Sequence, residues 1–353
     1  MAHKSHKISA QVVSMDEVIK ALLDESKPFS PRYLHSFSDI SPEDLEKLSE
    51  IWLSITDTRR LAILEDLEEL YDSDTVVSFD DVAKMALLDP SGKVRVIAIH
   101  LLPEYTKPAF AEILMGMMEE DSDESVRAAA ASALGKFVEL FELEEIPTEV
   151  GRGVVAALLD KVSSPDTPNV RRYALEALGW SSLPEVAPLI QTAFESGEER
   201  WVSSALFAMG VSGMERWEKP VLKSLKSTTP QILHEAVVAS GRLHLEEARK
   251  GLLKLLDQAP EDSEIRDDIL WALAQIGGEG VRELLETELE SAENDESVEF
   301  LTELLDDLDF NEGESLPELF ALSGDEDEDF DEDEVDGSDD EFDDDDDVTR
   351  SME

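Results

Sequence analysis

The stretch Asp121-Ser-Asp-Glu-Ser-Val126-Arg127-Ala-Ala-Ala-Ala-Ser-Ala-Leu-Gly135 decides the fold. It reads as a polar turn, an apolar residue followed by a base, a run of small residues, then glycine. The same order returns in Asp166-Thr-Pro-Asn-Val170-Arg171-Arg-Tyr-Ala-Leu-Glu-Ala-Leu-Gly179. Nine positions separate the apolar residue from the glycine in both copies, and again from Trp201 to Gly210 and from Ile232 to Gly241. Gly179, Gly210 and Gly241 lie 31 residues apart. A fixed period of this length marks a repeat protein. Weaker copies open at Thr58-Arg59-Arg60, at Asp89 to Val94-Arg95 and at Asp295 to Val298-Glu299. From Ile265-Arg266 to Gly277 the interval is longer, so that helix is expected to gain a turn. The total is about eight units.

Each unit reads as two helices. An apolar-periodic segment precedes each Val-Arg helix, as in Val154 to Val162, Pro188 to Phe194, Pro220 to Leu225 and Val281 to Leu289. Proline suits the first turn of a helix, where a missing N–H costs nothing. The repeat glycines are expected to cap helices with positive φ. Ser41-Pro42-Glu43-Asp44 is a helix start: a cap, a proline, then acids that suit the helix dipole. Strand signals are nearly absent. Residues 137–153, with Pro147 and Gly151, are expected to form an extended helix end plus a loop.

A lone helical hairpin cannot bury its apolar face, whereas a stack of them can. The sequence therefore predicts an all-α chain: an N-terminal segment over 1–41 with a short helix, a right-handed α-solenoid over 42–310, and a disordered acidic tail over 311–353. Val94, Val126, Val170, Trp201 and Ile232 should be buried at equivalent positions. Arg127 and Arg171 should be structural, pairing with Asp121, Asp123 or Asp166 of their own or the adjacent turn.

This pattern resembles HEAT repeats, in particular the short type found in bilin lyases of phycobilisomes and related proteins. Asp121, Val126 and Arg127 match it, as do Asp166, Val170 and Arg171. Later units depart: Val202, Leu233 and Ile269 stand where arginine is expected. The resemblance implies a fold more than a function, because such repeats serve scaffolds, adaptors and a few enzymes.

The 353 residues carry 84 acids and 30 bases, a net charge of −54. Residues 311–353 hold 22 of the acids and one base, Arg350, leaving 62 acids and 29 bases in 1–310. Such a charge repels nucleic acid and anionic membranes and favours basic partners. Cysteine is absent, which excludes disulfides, thiol nucleophiles and thiolate metal sites. With no apolar leader or membrane-length run, the expected location is the cytoplasm.

His234-Glu235 is similar to the His-Glu pairs of deoxyhypusine hydroxylases, HEAT-like enzymes with a di-iron centre. Several such pairs must converge to hold two irons, and this chain has one, so we read His234 as a surface histidine beside a glutamate. Asp325-Glu-Asp-Glu-Asp-Phe330 invites a calcium-loop reading, but phenylalanine occupies the position where an EF-hand needs glycine. Gly277-Gly278-Glu279-Gly280 lacks the lysine of a phosphate loop and reads as a turn. No catalytic, cofactor or metal set emerges, and no cofactor is expected.

Residues singled out for partner contact are Trp180 and Trp217, which could form an aromatic ridge, the His234-Glu235 pair, and Phe330 and Phe342 within the acidic tail. Inter-repeat packing is the competing reading of the tryptophans. The leading function is a non-enzymatic protein-interaction scaffold or adaptor working through the concave solenoid face. The tail would then favour basic protein partners, and neither nucleic acid nor membrane is expected to bind. A lyase or oxidoreductase-related protein is one alternative. An acidic-tail chaperone or nucleic-acid mimic is another.

Overall fold

The structure, a computed structural model, describes residues 13–312 except 75, 104, 261–262 and 293. The tail from 313 onward, with Phe330, Phe342 and the acidic run at 325–330, lies outside the described residues. Among those described there is no strand. Helix α1 (Met15–Leu23) and a 3-10 turn (Pro31–Phe37) lead into sixteen helices that pair as eight hairpins. The first four are α2 (Pro42–Trp52) with α3 (Asp57–Ser73), α4 (Asp80–Ala86) with α5 (Gly92–His100), α6 (Pro108–Glu120) with α7 (Glu124–Glu142), and α8 (Thr148–Ser163) with α9 (Pro168–Leu178). The last four are α10 (Val186–Glu195) with α11 (Glu199–Val211), α12 (Glu218–Ser224) with α13 (Pro230–Arg242), α14 (Arg249–Leu256) with α15 (Glu264–Ile276), and α16 (Val281–Ser291) with α17 (Asp295–Glu312). Helix α17 thus runs two residues into the stretch read as tail.

Local signals start the helices where the residues demand it. Ser41 Oγ accepts from the Asp44 N–H at the start of α2, and Asp123 and Thr167 cap α7 and α9 in the same way. One apolar core runs through the stack from Met15 to Leu308. Met15, Val18 and Leu22 of α1, with Tyr33, Leu34 and Phe37 of the 3-10 turn, close its first end. Leu301, Leu304 and Leu308 of α17 close the other, and the helix carries acids and no base, with Asp307 and Asp309 bonded back to Gln275 and Arg282 and Asp295, Glu296, Glu299, Glu303 and Asp306 among the others. A polar outer face on a terminal unit is what an open-ended stack requires.

The second helices form the tighter row. Each packs on the next from α3 to α17, whereas consecutive first helices touch more sparsely, chiefly α2 with α4 and α6 with α8. Closer spacing on one side makes that side the inner face. Small residues set the spacing. A Cβ on Gly179 would stand 2.7 Å from Ala208 Cα, one on Gly210 3.0 Å from Ala239 Cα, and one on Gly241 2.9 Å from Ala272 Cα. These glycines lie in or at the end of helices with ordinary right-handed φ, so they serve close approach and not the positive-φ capping expected of them.

The Gly–Ala register also corrects the seventh unit. Ala208 and Ala239 precede their own repeat glycines by two residues, which puts Ala274 in the glycine position after Ala272. The interval from Ile265 to Ala274 is again nine, and α15 is 13 residues long, like α11 and α13. It gains no turn. Gly277, at φ 63°, Gly278 and Gly280 form the left-handed turn that follows it. The expected insertion at 137–153 is mostly helix: α7 extends to Glu142, and α8 begins at Thr148, with Gly151 making room for the Phe141 ring.

A second set of bonds ties the turns of the N-terminal hairpins. Arg127 donates Nε and Nη2 to the two Asp166 carboxylate oxygens at 3.0 and 2.8 Å, and Nη1 to the Asp121 carbonyl at 2.9 Å. Arg95 does the same to Asp121, at 2.9 and 2.6 Å, and to the Asp89 carbonyl. Arg60 forks onto Asp89 at 2.7 and 3.1 Å, and Trp52 Nε1 donates to the same carboxylate. Each arginine therefore holds its own turn by the backbone and the next turn by the side chain. The series stops at Arg171. Gly197 stands four residues before Trp201, where the preceding unit has Asp166, so no carboxylate meets Arg171. It donates instead to the Val162 carbonyl, with its guanidinium 5.5 Å from the Trp201 ring centre. That stacking leaves Trp201 half-buried, and Ile232 is half-buried too, unlike fully buried Val94, Val126 and Val170.

Two predictions follow from these contacts. Gly179→Ala should lower unfolding free energy by about 1–3 kcal/mol in urea titration, because over-packing against backbone outweighs the roughly 1 kcal/mol gained in helix propensity. The Arg127 fork pulls the Asp166 carboxyl down from 3.8 to about 2. A depressed carboxyl adds stability above its unfolded value and loses it as pH falls through the folded one. Between pH 4 and 2 the native protein should therefore lose more stability than Asp166→Asn, which starts about 1.5–3 kcal/mol lower at pH 7.

Candidate partner-binding groove

Because the second helices share one register, residues at the same offset from the repeat's apolar position line up across the inner face. Two and three residues beyond Val170, Trp201, Ile232 and Ile265 stand Arg172 and Tyr173, Ser203 and Ser204, His234 and Glu235, and Asp267 and Asp268. Arg172, Ser203, His234, Glu235 and Asp268 from this set line an open groove of about 770 Å³ spanning α9 to α15. Arg200, Glu199 and Glu264 stand exposed at its edge, and Leu233 and Ile265 add apolar surface.

The polar groups are organised in two linked sets. In the first, Arg172 donates Nη1 to Ser204 Oγ at 2.7 Å and Nη2 to Asn169 Oδ1 at 2.8 Å, and lies 3.6 Å from the Glu176 carboxylate. Ser204, almost fully buried, donates its hydroxyl to Glu176. Burial pushes the Glu176 carboxyl up, and the Ser204 bond and Arg172 oppose that. In the second set, His234 Nδ1 lies 2.6 Å from Asp268 Oδ2, and that bond raises the imidazole above its usual range. Beside it, burial drives the Glu235 carboxyl up to about 7; His234 pulls it down and Glu176 pushes it further up. The Arg242 guanidinium lies 5.0 Å from the Phe207 ring centre, and burial lowers its affinity for a proton. The arrangement offers charged acceptors, charged donors and apolar surface within one trough. That combination suits an extended polypeptide carrying basic and apolar side chains.

The residues singled out from sequence separate in the fold. His234 and Glu235 lie in the groove, but the partner of His234 is Asp268 rather than its neighbour. Among the described residues, no group of three or more His, Asp or Glu side chains is placed to hold a metal ion. Trp217 is 3% exposed and sits in the core, so it cannot belong to an aromatic ridge. Trp180 is half-buried, with its Cδ1 3.6 Å from where a Gly135 Cβ would stand. Arg172, Glu176, Ser204 and Asp268 escaped sequence reasoning. Their signal was the fixed offset from the repeat's apolar residue, which no local motif announces.

The Glu235 environment is testable. A carboxyl raised in the folded state binds its proton more tightly there than in the unfolded chain. Stability is therefore full below the unfolded value near 4.3 and falls as pH rises through about 7. Glu235→Gln should match the native protein at pH 4 and exceed it in melting temperature at pH 8, as read by thermal denaturation at the two pH values.

Comparison with known proteins agrees with the architecture. Residues 110–141, spanning α6 and α7, match the HEAT repeat family model. Compared with curated proteins, the sequence matches none. Among solved structures, the chain is similar to the complex of CpcE and CpcF of phycocyanin lyase from Nostoc sp. PCC7120. The identity is 20%, covering 65% of this chain and 94% of that one, with a TM-score of 0.44. It is also similar to human deoxyhypusine hydroxylase in complex with glycerol, at 16% identity, 85% and 96% coverage and a TM-score of 0.31. Importin beta is 14% identical, with 87% of this chain and 48% of that one covered and a TM-score of 0.38. No helix among the described residues is long and apolar enough to cross a membrane. With its third hairpin matching the HEAT model and the same two-helix unit recurring along the stack, the chain is a HEAT-like repeat protein.

Proposed function

We propose that the protein is a non-enzymatic interaction scaffold that binds a basic polypeptide segment along the inner groove between α9 and α15. The observation that carries this reading is the groove's composition: the exposed acids Glu199 and Glu264 at its edge and Asp268 bonded to His234 within it, beside Arg172 and Arg200, with apolar side chains between them. Exposed carboxylates at the edge of a concave surface raise the encounter rate with cationic partners and set their register. The acid excess of the whole chain acts in the same sense and opposes nucleic acid and anionic membranes. A cytoplasmic setting belongs to the same proposal and rests on the cysteine-free composition.

Glu199 and Glu264 are exposed, so reversing them perturbs binding without touching the core. In affinity capture with the full chain, Glu199→Lys/Glu264→Lys should lower recovery of basic partners about tenfold, equal to about 1.4 kcal/mol. Its melting temperature should stay that of the native protein. Undiminished recovery would remove the groove as the binding face.

A further inference from the structure

The opposite side of the stack carries a feature that the scaffold reading leaves unused. Residues 216–258 hold eight bases and five acids in a chain whose net charge is −54. Arg216, Lys219, Lys223 and Lys226 follow helical spacing along α12 and its flanks, and Lys250 and Lys254 lie one turn apart on α14. All six are exposed. Among the described residues none of their side chains forms an ion pair or a hydrogen bond, the Arg216 guanidinium lying 5.6 Å from the Trp217 ring centre, whereas Arg60, Arg95 and Arg127 are each forked onto an aspartate. Unpaired cations gathered on one face of so acidic a protein are a binding surface for carboxylates.

Between α12 and α14 runs a groove of about 430 Å³. Its floor is apolar, with Leu222 and Leu225 on one side and Leu255 on the other, and its rim carries Lys226 and Lys254, with Glu247 the acid among them. Gly251 lies on the floor, where a Cβ would stand 4.0 Å from Leu225. The groove thus asks for an apolar side chain flanked by carboxylates. The chain beyond Glu312 contains that pattern twice. Phe330 is surrounded by nine acids in Asp325–Glu334, and Phe342 lies between Glu341 and Asp343–Asp347.

We propose that the acidic C-terminal segment folds back onto its own molecule and seats Phe330 or Phe342 in the α12–α14 groove, its carboxylates paired with the surrounding lysines. Reach permits it. Packed helices stand 8–10 Å apart, so the groove is about 10–20 Å along the stack from the last hairpin. Phe330 lies 18 residues beyond Glu312, a span of up to roughly 60 Å. Tethering makes the contact intramolecular at an effective concentration in the millimolar range, which lets weak charge pairs hold.

Zero-length carbodiimide coupling of the full chain, mapped by mass spectrometry, tests this. Bonds between residues 325–347 and Lys219, Lys223, Lys226, Lys250 or Lys254 should exceed those to the equally exposed Lys20, Lys93 and Lys107 at least tenfold. They should vanish near 1 M salt, where screening acts within about 3 Å. Phe330→Ser/Phe342→Ser should reduce them severalfold while the melting temperature of the helical stack stays that of the native protein. An even spread over all lysines would overturn the site. Coupling mainly between isotopically distinct copies in a mixed sample would overturn the intramolecular contact. Indifference to the phenylalanine changes would overturn the apolar seat.

Discussion

The close approach of consecutive second helices is the constraint on which the rest of this molecule depends. Where glycine faces alanine, two backbones come within van der Waals distance, and from α7 to α15 each hairpin is locked to the next at the same height. That lock fixes the register in which all other side chains meet. It needs no directional bond, and one methyl group in the wrong place is enough to disturb it. The arginine forks of the N-terminal half add direction: each spans two turns and satisfies both a carbonyl and a carboxylate. Half of the stack is therefore held by packing plus bidentate charge pairs. The other half, beyond Arg171, relies on packing and on scattered pairs such as Arg266 with Glu288.

This division explains where the groove lies. In the N-terminal units the second helices present alanines and serines on the inner face, as at Ala128, Ala129 and Ser132, and the charges are spent in the turns. Beyond α9 the arginine–aspartate forks end, and charged residues stand on the inner face, as Arg172, Glu176, Glu235, Arg242 and Asp268. Partly desolvated there, Glu176, Glu235 and Arg242 no longer hold ordinary proton affinities. Glu176 and Glu235 both shift upward because burial penalises the charge, and Glu235 is pushed further by Glu176. A face built this way exchanges intrinsic stability for the capacity to interact.

The architecture was legible in the sequence because the repeat writes it many times over. A nine-residue interval and a 31-residue period survive the loss of individual residues, as the wholly different opening Glu199-Arg200-Trp201 shows. The roles of single residues were less legible. Glycine in a repeat suggests a turn, but the partner that requires Gly179 to be glycine is Ala208, one repeat away and invisible to local reading. Gly277 drew the register because it is glycine, while the true equivalent, Ala274, carries one methyl more. Trp201 occupies a core position by count, yet the lost aspartate at 197 leaves Arg171 in need of a partner, and the indole is held half-out to serve it. The groove hid for the same reason. His234 was visible only beside Glu235, whereas its bond is to Asp268, 34 residues on.

Charge completes the picture, because its placement is not what a uniformly acidic composition suggests. An excess of carboxylates spread evenly would pair every base it could reach, since exposed pairs form at little cost. Here the bases in the turns are paired, those of the inner face are embedded among acids, and those of α12 and α14 stand alone. On the two proposals above, the two sides of the C-terminal half would carry opposite preferences, inner for cations and outer for anions. A cationic ligand on the inner face and a carboxylate-rich segment on the outer face would not compete for space. They would compete for each other, because a basic partner attracts the same acids that satisfy the lysines. The distance between the two surfaces is only the thickness of one hairpin, about two helix diameters of 10–12 Å. A charged segment anchored at the end of the stack lies within reach of both, so occupancy of one face must alter the free energy of the other.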